Sequence, residues 1–411
     1  MTPATQRRYA ALDGLRGVAA LFVFWIHVWI YQLPNTVVLR RDSWEKWLLF
    51  EGRIAFVMFF VLSGYLLYRA FVRAALGRAA PVAIGSYLVR RAARVAPAYY
   101  LALAGTFVLL AAAGDVPGRR PIDASELPLF LVFAQNYSPD TLLKFNAATW
   151  TLTVEVVFYL MLPVIGLAAL RLGRSARRQA LLLAGLAVAG LAWNYVDYLA
   201  GWGVVASHVA PSFLPYFACG MLVALLIETH RASGRAALGP LASGGLVAAA
   251  AAILVANGLW HVYGDHAGVA MEVLADSAAA VAFAAVIASL VLGTGTGARW
   301  LGRRPFAWMG ETAYGFYLWH IPLLVVARAT GVLPSGIVLG LAVLPVAIAF
   351  GAASWYLVER PLMRRAAELP RDIASGAPAP EPGAGLAGPA EGEAATAARS
   401  GRSRSRTPAR T

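Results

Sequence analysis

The sequence predicts an all-α integral membrane protein, a bundle of about ten transmembrane helices with both termini in the cytoplasm. Three observations carry this. Of 411 residues, 59% are hydrophobic and only 14% charged, against roughly 25% charge in soluble globular domains. The apolar residues gather into runs close to the roughly 17–25 residues that a helix needs to cross a bilayer. Basic residues also fall unevenly between alternate loops, which fixes an orientation.

The first span, near 14–33, contains LDGLRGVAALFVFWIHVWIY. The preceding MTPATQRRYA resembles the start of a signal peptide, but the apolar run continues to about residue 31 and contains His27, which favours a retained helix. The second, 54–72, holds FFVLSGYLLYR, where Ser63 and Gly64 predict a close helix contact through small residues. The third, 96–113, follows RRAARVAPAYY. ELPLFLVF, around 127–134, is too short to span and reads as an interfacial or re-entrant piece. The fourth span, 150–170, opens with WTLTVEVVFYLMLP. Spans at 179–199, 211–228, 240–258 and 269–293 are rich in Ala, Gly, Leu and Val. The ninth, 311–328, contains ETAYGFYLWHIPLL, and the tenth, 336–358, ends at ERP, where Glu359 is expected to cap or pair locally. Residues 8–365 thus read as one transmembrane domain. The tail 366–411 lacks aromatics and has almost no large aliphatics, so it is expected to be disordered and solvated near anionic lipid.

Sixteen basic residues, Arg7 and Arg8 together with clusters at 73–94, 171–178, 231–235 and 299–304, fall on one side of these spans. Eight, including Arg40, Arg53, Arg119, Lys144 and Arg328, fall on the other. The richer side is cytoplasmic by the positive-inside rule, and an even number of spans returns both termini to it. The formal charge of +14 does not indicate a nucleic-acid partner, because the basic residues sit in these loops or in the tail. The single cysteine, Cys219, excludes an intramolecular disulfide and reads as packing.

Few ionisable side chains interrupt the spans, and at membrane depth each is a functional hypothesis. Arg16 and His27 are eleven positions apart, close to three helical turns, so both share one face. At ~1.5 Å per residue the imidazole lies about 16 Å beyond the guanidinium. A neutral imidazole is a natural general base near neutral pH; the competing reading is a hydrogen-bonded interior histidine. Asp13 lies three residues before Arg16 and can pair with it. Glu155 falls at a similar depth to His27, where a carboxylate could orient the imidazole or else bond Tyr and Thr hydroxyls. Arg90, Arg91 and Arg94 form a basic flank at the membrane edge, able to clamp phosphates or simply to set topology. His320, with Tyr314 nearby, reads equally as a substrate contact or a packed residue. Ser63 as a nucleophile is the weaker reading beside its packing role. The remaining histidines have no metal-ligand spacing, so no metal is expected, and no Walker or dinucleotide fingerprint occurs.

Five blocks occur in order: ALDGLRGVAALFVFWIH, FFVLSGYLL, RRAARVAPAYY, WTLTVEVVFYLMLP and YGFYLWHIPLL. This set, with its R-x10-H spacing and RRxxR, resembles the membrane-bound acyltransferase-3 family over about residues 8–365. The resemblance implies a ten-helix bundle that acylates hydroxyl compounds, in the form without an appended hydrolase-like domain. It implies His27 as catalytic base and Glu155 as a functional carboxylate. Arg90, Arg91 and Arg94 become the acyl-donor contacts, and Arg16 a contact to the donor or the reacting centre; the residues themselves add Asp13, Ser63, Tyr314 and His320 as supporting candidates. Where many relatives carry a polar residue before FFVLSG, this chain has Val57 and Met58. The co-substrate implied is acyl-CoA, acetyl-CoA by default, with no permanently bound cofactor. The acceptor is a hydroxyl of a sugar, glycan or metabolite at a bacterial inner membrane. Midplane His and Glu would also suit a proton-coupled secondary transporter, but no internal repeat of the kind such transporters show is apparent.

Overall fold

Inside a bilayer every backbone N–H and C=O must be satisfied within the protein, so long apolar runs fold as helices. The computed structural model describes residues 3–32, 54–114, 122–263, 269–332 and 336–368. Among these, ten helices of eighteen residues or more follow one another: α1 (Pro3–Gln32), α2 (Ala55–Ala75), α3 (Ile84–Ala113), α4 (Trp150–Arg171), α5 (Ala176–Ala200), α6 (Ala210–Ala232), α7 (Pro240–Tyr263), α8 (Val269–Leu292), α9 (Arg304–Ala329) and α10 (Ile337–Ser354). Each overlaps one expected span, in order. Eight of these regions are long and apolar enough to cross a membrane by length and composition. Of the other two, α8 holds a shorter apolar stretch, Asp276–Leu292, and α9 is diluted by Tyr, Trp and His between Tyr314 and His320. No strand forms among the described residues. The protein is an all-α integral membrane protein. The loop cations Arg40, Arg41, Lys46, Arg53, Arg119 and Arg120, the side chains of Arg7 and Arg8, and the tail from residue 369 lie outside the described residues.

Among the described residues two large apolar cores hold the bundle, beside a small third cluster of Ala148, Ile321 and Val325. One is built by α2, α4, α6 and α8 around Tyr65, Phe158, Phe217 and Met221. Phe158 and Phe217 stack there with ring centroids 3.9 Å apart. The close contact expected at Ser63–Gly64 is formed with α6. A Cβ on Gly64 would strike the backbone carbonyl of Phe217, and one on Gly220 would strike that of Val61, so the two backbones meet directly. The second core joins α1, α3, α9 and α10 through Phe24, Tyr99, Phe316 and Leu324.

Three details differ from or refine the sequence reading, and all of them shape the site. α3 begins at Ile84 rather than near 96, taking the RRxxR arginines into the helix. The helix extends because Arg91 and Arg94 find partners inside the protein instead of ending the span at water. After α10 the chain forms one π-helical turn, Trp355–Glu359, before a final helix, Arg360–Glu368. Such turns recur at functional sites. This one aims Glu359 inward: it accepts from Ser354 as a local partner and, across the fold, from Arg94.

Between α3 and α4 the short helix Leu127–Leu131 is tied to α3 by the Tyr99 and Tyr100 hydroxyls, which donate to Phe130 O and Leu131 O at 2.7 and 2.6 Å. The following chain holds Phe133, Leu143 and Phe145 at φ 58°, 58° and 65°, a costly region for such residues. Buried amides fix it. Gln135 donates to Thr149 O, Asn136 to Trp150 O and His208 O, and Asn146 to Leu318 O of α9. The start of α4, and with it Thr151 and Glu155, is thereby set against α9.

Candidate active site

A cavity of about 810 Å³ runs between α1, α2, α3, α4 and α9 and the chain after α10. One end is lined by Arg304, Trp308, Arg360 and Met363, the other by Phe56, Phe59, Thr151 and Leu152. Helix direction separates these ends: Asp13 and Arg304 lie in the N-terminal parts of α1 and α9, whereas Phe56 and Thr151 open the oppositely running α2 and α4.

Arg16, Arg91 and Arg94 reach the cavity wall, together with Arg304 and Arg360. Their environments differ. Arg16 donates to Asp13 at 2.6 Å, the ion pair expected from their spacing. Arg94 donates to Glu359 at 2.9 Å, with the glutamate fully buried and the arginine side chain 17% exposed. Its guanidinium also lies over the Tyr314 and Trp355 rings, 5.5 and 5.1 Å from their centroids. Arg91 lies 5.9 Å from the centroid of Tyr159, and its Nε is buried without a hydrogen-bond partner among the described residues. A buried guanidinium N–H left unmatched is costly, and an anionic ligand would satisfy it. Arg90 is not among the lining residues.

Midway along, Glu155 accepts from Ser63 Oγ at 2.9 Å, so the serine that also marks the α2–α6 contact holds a carboxylate. Beyond it, the Tyr317 hydroxyl donates to Ala148 O at 2.9 Å and lies 2.8 Å from Thr151 Oγ1. Tyr317 lines the cavity and is also the link to the histidines: its backbone carbonyl lies 2.6 Å from His320 Nδ1, and the two rings are 5.5 Å apart.

The imidazole facing His27 is His320. His320 Nε2 lies 3.2 Å from His27 Nδ1, with ring centroids 4.9 Å apart. His27 Nδ1 is also 2.8 Å from Val23 O, four residues back on α1. Because carbonyls only accept, the hydrogen-bond network assigns the protons: each Nδ1 carries its hydrogen, and His320 Nε2 holds a lone pair toward His27. His27 Nε2 then carries the other basic lone pair of the couple. Phe316 stacks on His320 at 6.1 Å and Phe24 adjoins it at 6.4 Å, and His320 is wholly buried.

The structure therefore gathers Asp13, Arg16, Ser63, Arg91, Arg94, Glu155 and Tyr314 around one cavity, with His27 and His320 paired one side chain away behind the Tyr317 link. Sequence reasoning missed Thr151, gave Arg304 and Arg360 no place in the site, and met Tyr317 only as a neighbour of His320. It also missed the long-range partner of Glu359, although a carboxylate closing an apolar run was the available signal. Among the described residues no cluster of His, Cys, Asp and Glu is placed to hold a metal ion.

Residues 9–357 match the sequence model of a family described as "Acyltransferase domain". The chain is 27% identical over 393 residues to "Acyltransferase MdmB" of Streptomyces mycarofaciens, covering 87% of this chain and 92% of that protein. It is 28% identical over 379 residues to "Nodulation protein 10" of Rhizobium leguminosarum bv. viciae, covering 86% and 92%. A third relative, "Protein 2 in picA locus" of Rhizobium radiobacter, is 33% identical over 173 residues, covering 40% of this chain and 77% of the relative. No solved structure matches the chain.

Proposed function

The chain belongs to the acyltransferase-3 family of membrane acyltransferases, and from that premise we propose that it carries an acyl group, acetyl by default, from cytoplasmic acyl-CoA to a hydroxyl. The acceptor class is a sugar, a surface glycan or a secondary metabolite, and the site is the bacterial inner membrane with both termini cytoplasmic. The observation that carries this reading is the cavity itself. Its cationic end matches the phosphates of a coenzyme A donor, and its other end is lined by Tyr317, whose carbonyl meets His320 of the part-buried His27–His320 pair.

In this reading Arg91, Arg304 and Arg360 take the phosphates, and Arg16 takes the donor arm. Arg94 is already neutralised by Glu359 and shapes the wall. Arg16 stands about 16 Å along α1 from His27, so it cannot touch the reacting carbonyl at the imidazole. An extended pantetheine arm bridges a gap of that order. His27 Nε2 takes the proton of the acceptor hydroxyl as its oxygen attacks the thioester carbonyl. The carbon–sulfur bond breaks, and the departing thiolate recovers that proton from His27. The new ester leaves with the acceptor. Glu155, held by Ser63, faces the polar middle of the cavity, where it orders the acceptor or the donor arm.

The test is purified protein in lipid nanodiscs with labelled acetyl-CoA, joined to comparative mass spectrometry of cells with and without the gene. A metabolite or glycan lighter by one acyl group in the deletion identifies the acceptor. Supplied with that acceptor, the protein should release free thiol in step with labelled ester. Intact donor under those conditions would overturn the reading.

A further inference from the structure

We propose that His320 is a positioning residue for His27, in the place that sequence reasoning considered for Glu155. This rests on the reading of His27 as the base. The geometry has three parts. His320 Nδ1 is anchored to Tyr317 O at 2.6 Å, which fixes its ring and turns Nε2 outward as a lone pair. That lone pair meets His27 Nδ1 at 3.2 Å. Glu155 accepts instead from Ser63 on α2.

Val23 O alone would hold the His27 tautomer, but a carbonyl cannot take up a proton. His320 Nε2 can. When the acceptor's proton arrives at His27 Nε2, the Nδ1 proton of the resulting imidazolium is shared with His320 Nε2. Charge that would sit on one ring is spread over two, and Tyr317 O, accepting from His320 Nδ1, steadies the second ring. On collapse, the carbon–sulfur bond breaks, sulfur takes the proton back from His27 Nε2, and both rings return to their neutral tautomers. No net proton or electron is gained by the protein. A triad carboxylate, which does not take up the proton, orients and stabilises its imidazolium with a full negative charge. Here a neutral ring does it without placing an anion between α1 and α9, where Phe24 and Phe316 surround it.

The discriminating experiment compares His320→Leu, His320→Gln and His320→Asn with His27→Ala, each purified as the full chain and checked by melting temperature. Gln places an acceptor where Nε2 stood, whereas Asn reaches only the Nδ1 position. We expect His320→Leu and His320→Asn to lose about 10²-fold in kcat, within the span for general-base catalysis, with donor KM unchanged. His320→Gln should recover most of that loss. Equal rates for Gln and Asn, or wild-type kcat in His320→Leu, would overturn the proposal. If the Leu variant does not fold, the Gln–Asn comparison decides alone. An inactive His27→Ala beside a fully active His320→Leu removes this inference and leaves the base assignment standing. An active His27→Ala removes both.

Discussion

At the end of the cavity lined by Arg304 and Arg360, guanidinium groups sit beside carboxylates: Arg16 on Asp13 and Arg94 on Glu359. At the opposite end the polar groups are the Thr151 and Tyr317 hydroxyls, with the His27–His320 pair one side chain behind Tyr317. A site that receives phosphates can keep standing cations, because their charge is answered either by a carboxylate or by the ligand. A site that moves a proton in a desolvated setting works with neutral groups, because a permanent buried charge is expensive. The same cavity thus separates charge recognition from proton transfer by three helical turns of α1.

Four substitutions test that contrast, with Arg90→Ala and a double variant as controls. The largest effect is expected from His27→Ala, a loss of about 10²–10⁴ in kcat with donor binding retained, read by steady-state kinetics and donor-binding calorimetry. Next, Glu359→Gln strips the counter-charge from Arg94. It should cost about 3 kcal/mol of stability, the lower end for a buried pair because Arg94 still touches the cavity. Melting in detergent reads this, and the double variant Arg94→Met/Glu359→Leu should regain most of the loss. Third, Arg91→Ala should raise the donor KM by about tenfold or more at unchanged kcat, as loss of a charged hydrogen bond would. Arg90→Ala, outside the lining, should leave KM near wild type. A fall in kcat for Arg91→Ala would instead place that residue in the chemistry. The smallest effect belongs to Ser63→Ala, which removes the Glu155 hydrogen bond and should cost about 1 kcal/mol, roughly fivefold in kcat/KM.

Much of the architecture was legible because hydropathy is a local property. The runs from 14–33 to 336–358 needed no partner to be recognised, and each overlaps a helix. The start of α3 was misplaced for the converse reason. Arg90, Arg91 and Arg94 look like a boundary until Tyr159 and Glu359, on distant segments, are seen to receive two of them. The site divides in the same way. Arg16 with Asp13 is an i,i+3 pair and was readable from spacing. Glu155 was recognised as a buried carboxylate, but its partner, 92 residues away, was not.

The all-α membrane class, the order of the helices, the shared face of Arg16 and His27, and the family are legible along the chain, because periodicity, hydropathy and motif order are local properties of it. Which of the polar groups within the spans meet is a matter of how the helices pack. His320 faces His27 across 293 positions, and Glu359 reaches Arg94 across 265. Helix packing, the π-helical turn and the amide-pinned start of α4 set those meetings, and none of them is encoded at a fixed spacing in the sequence.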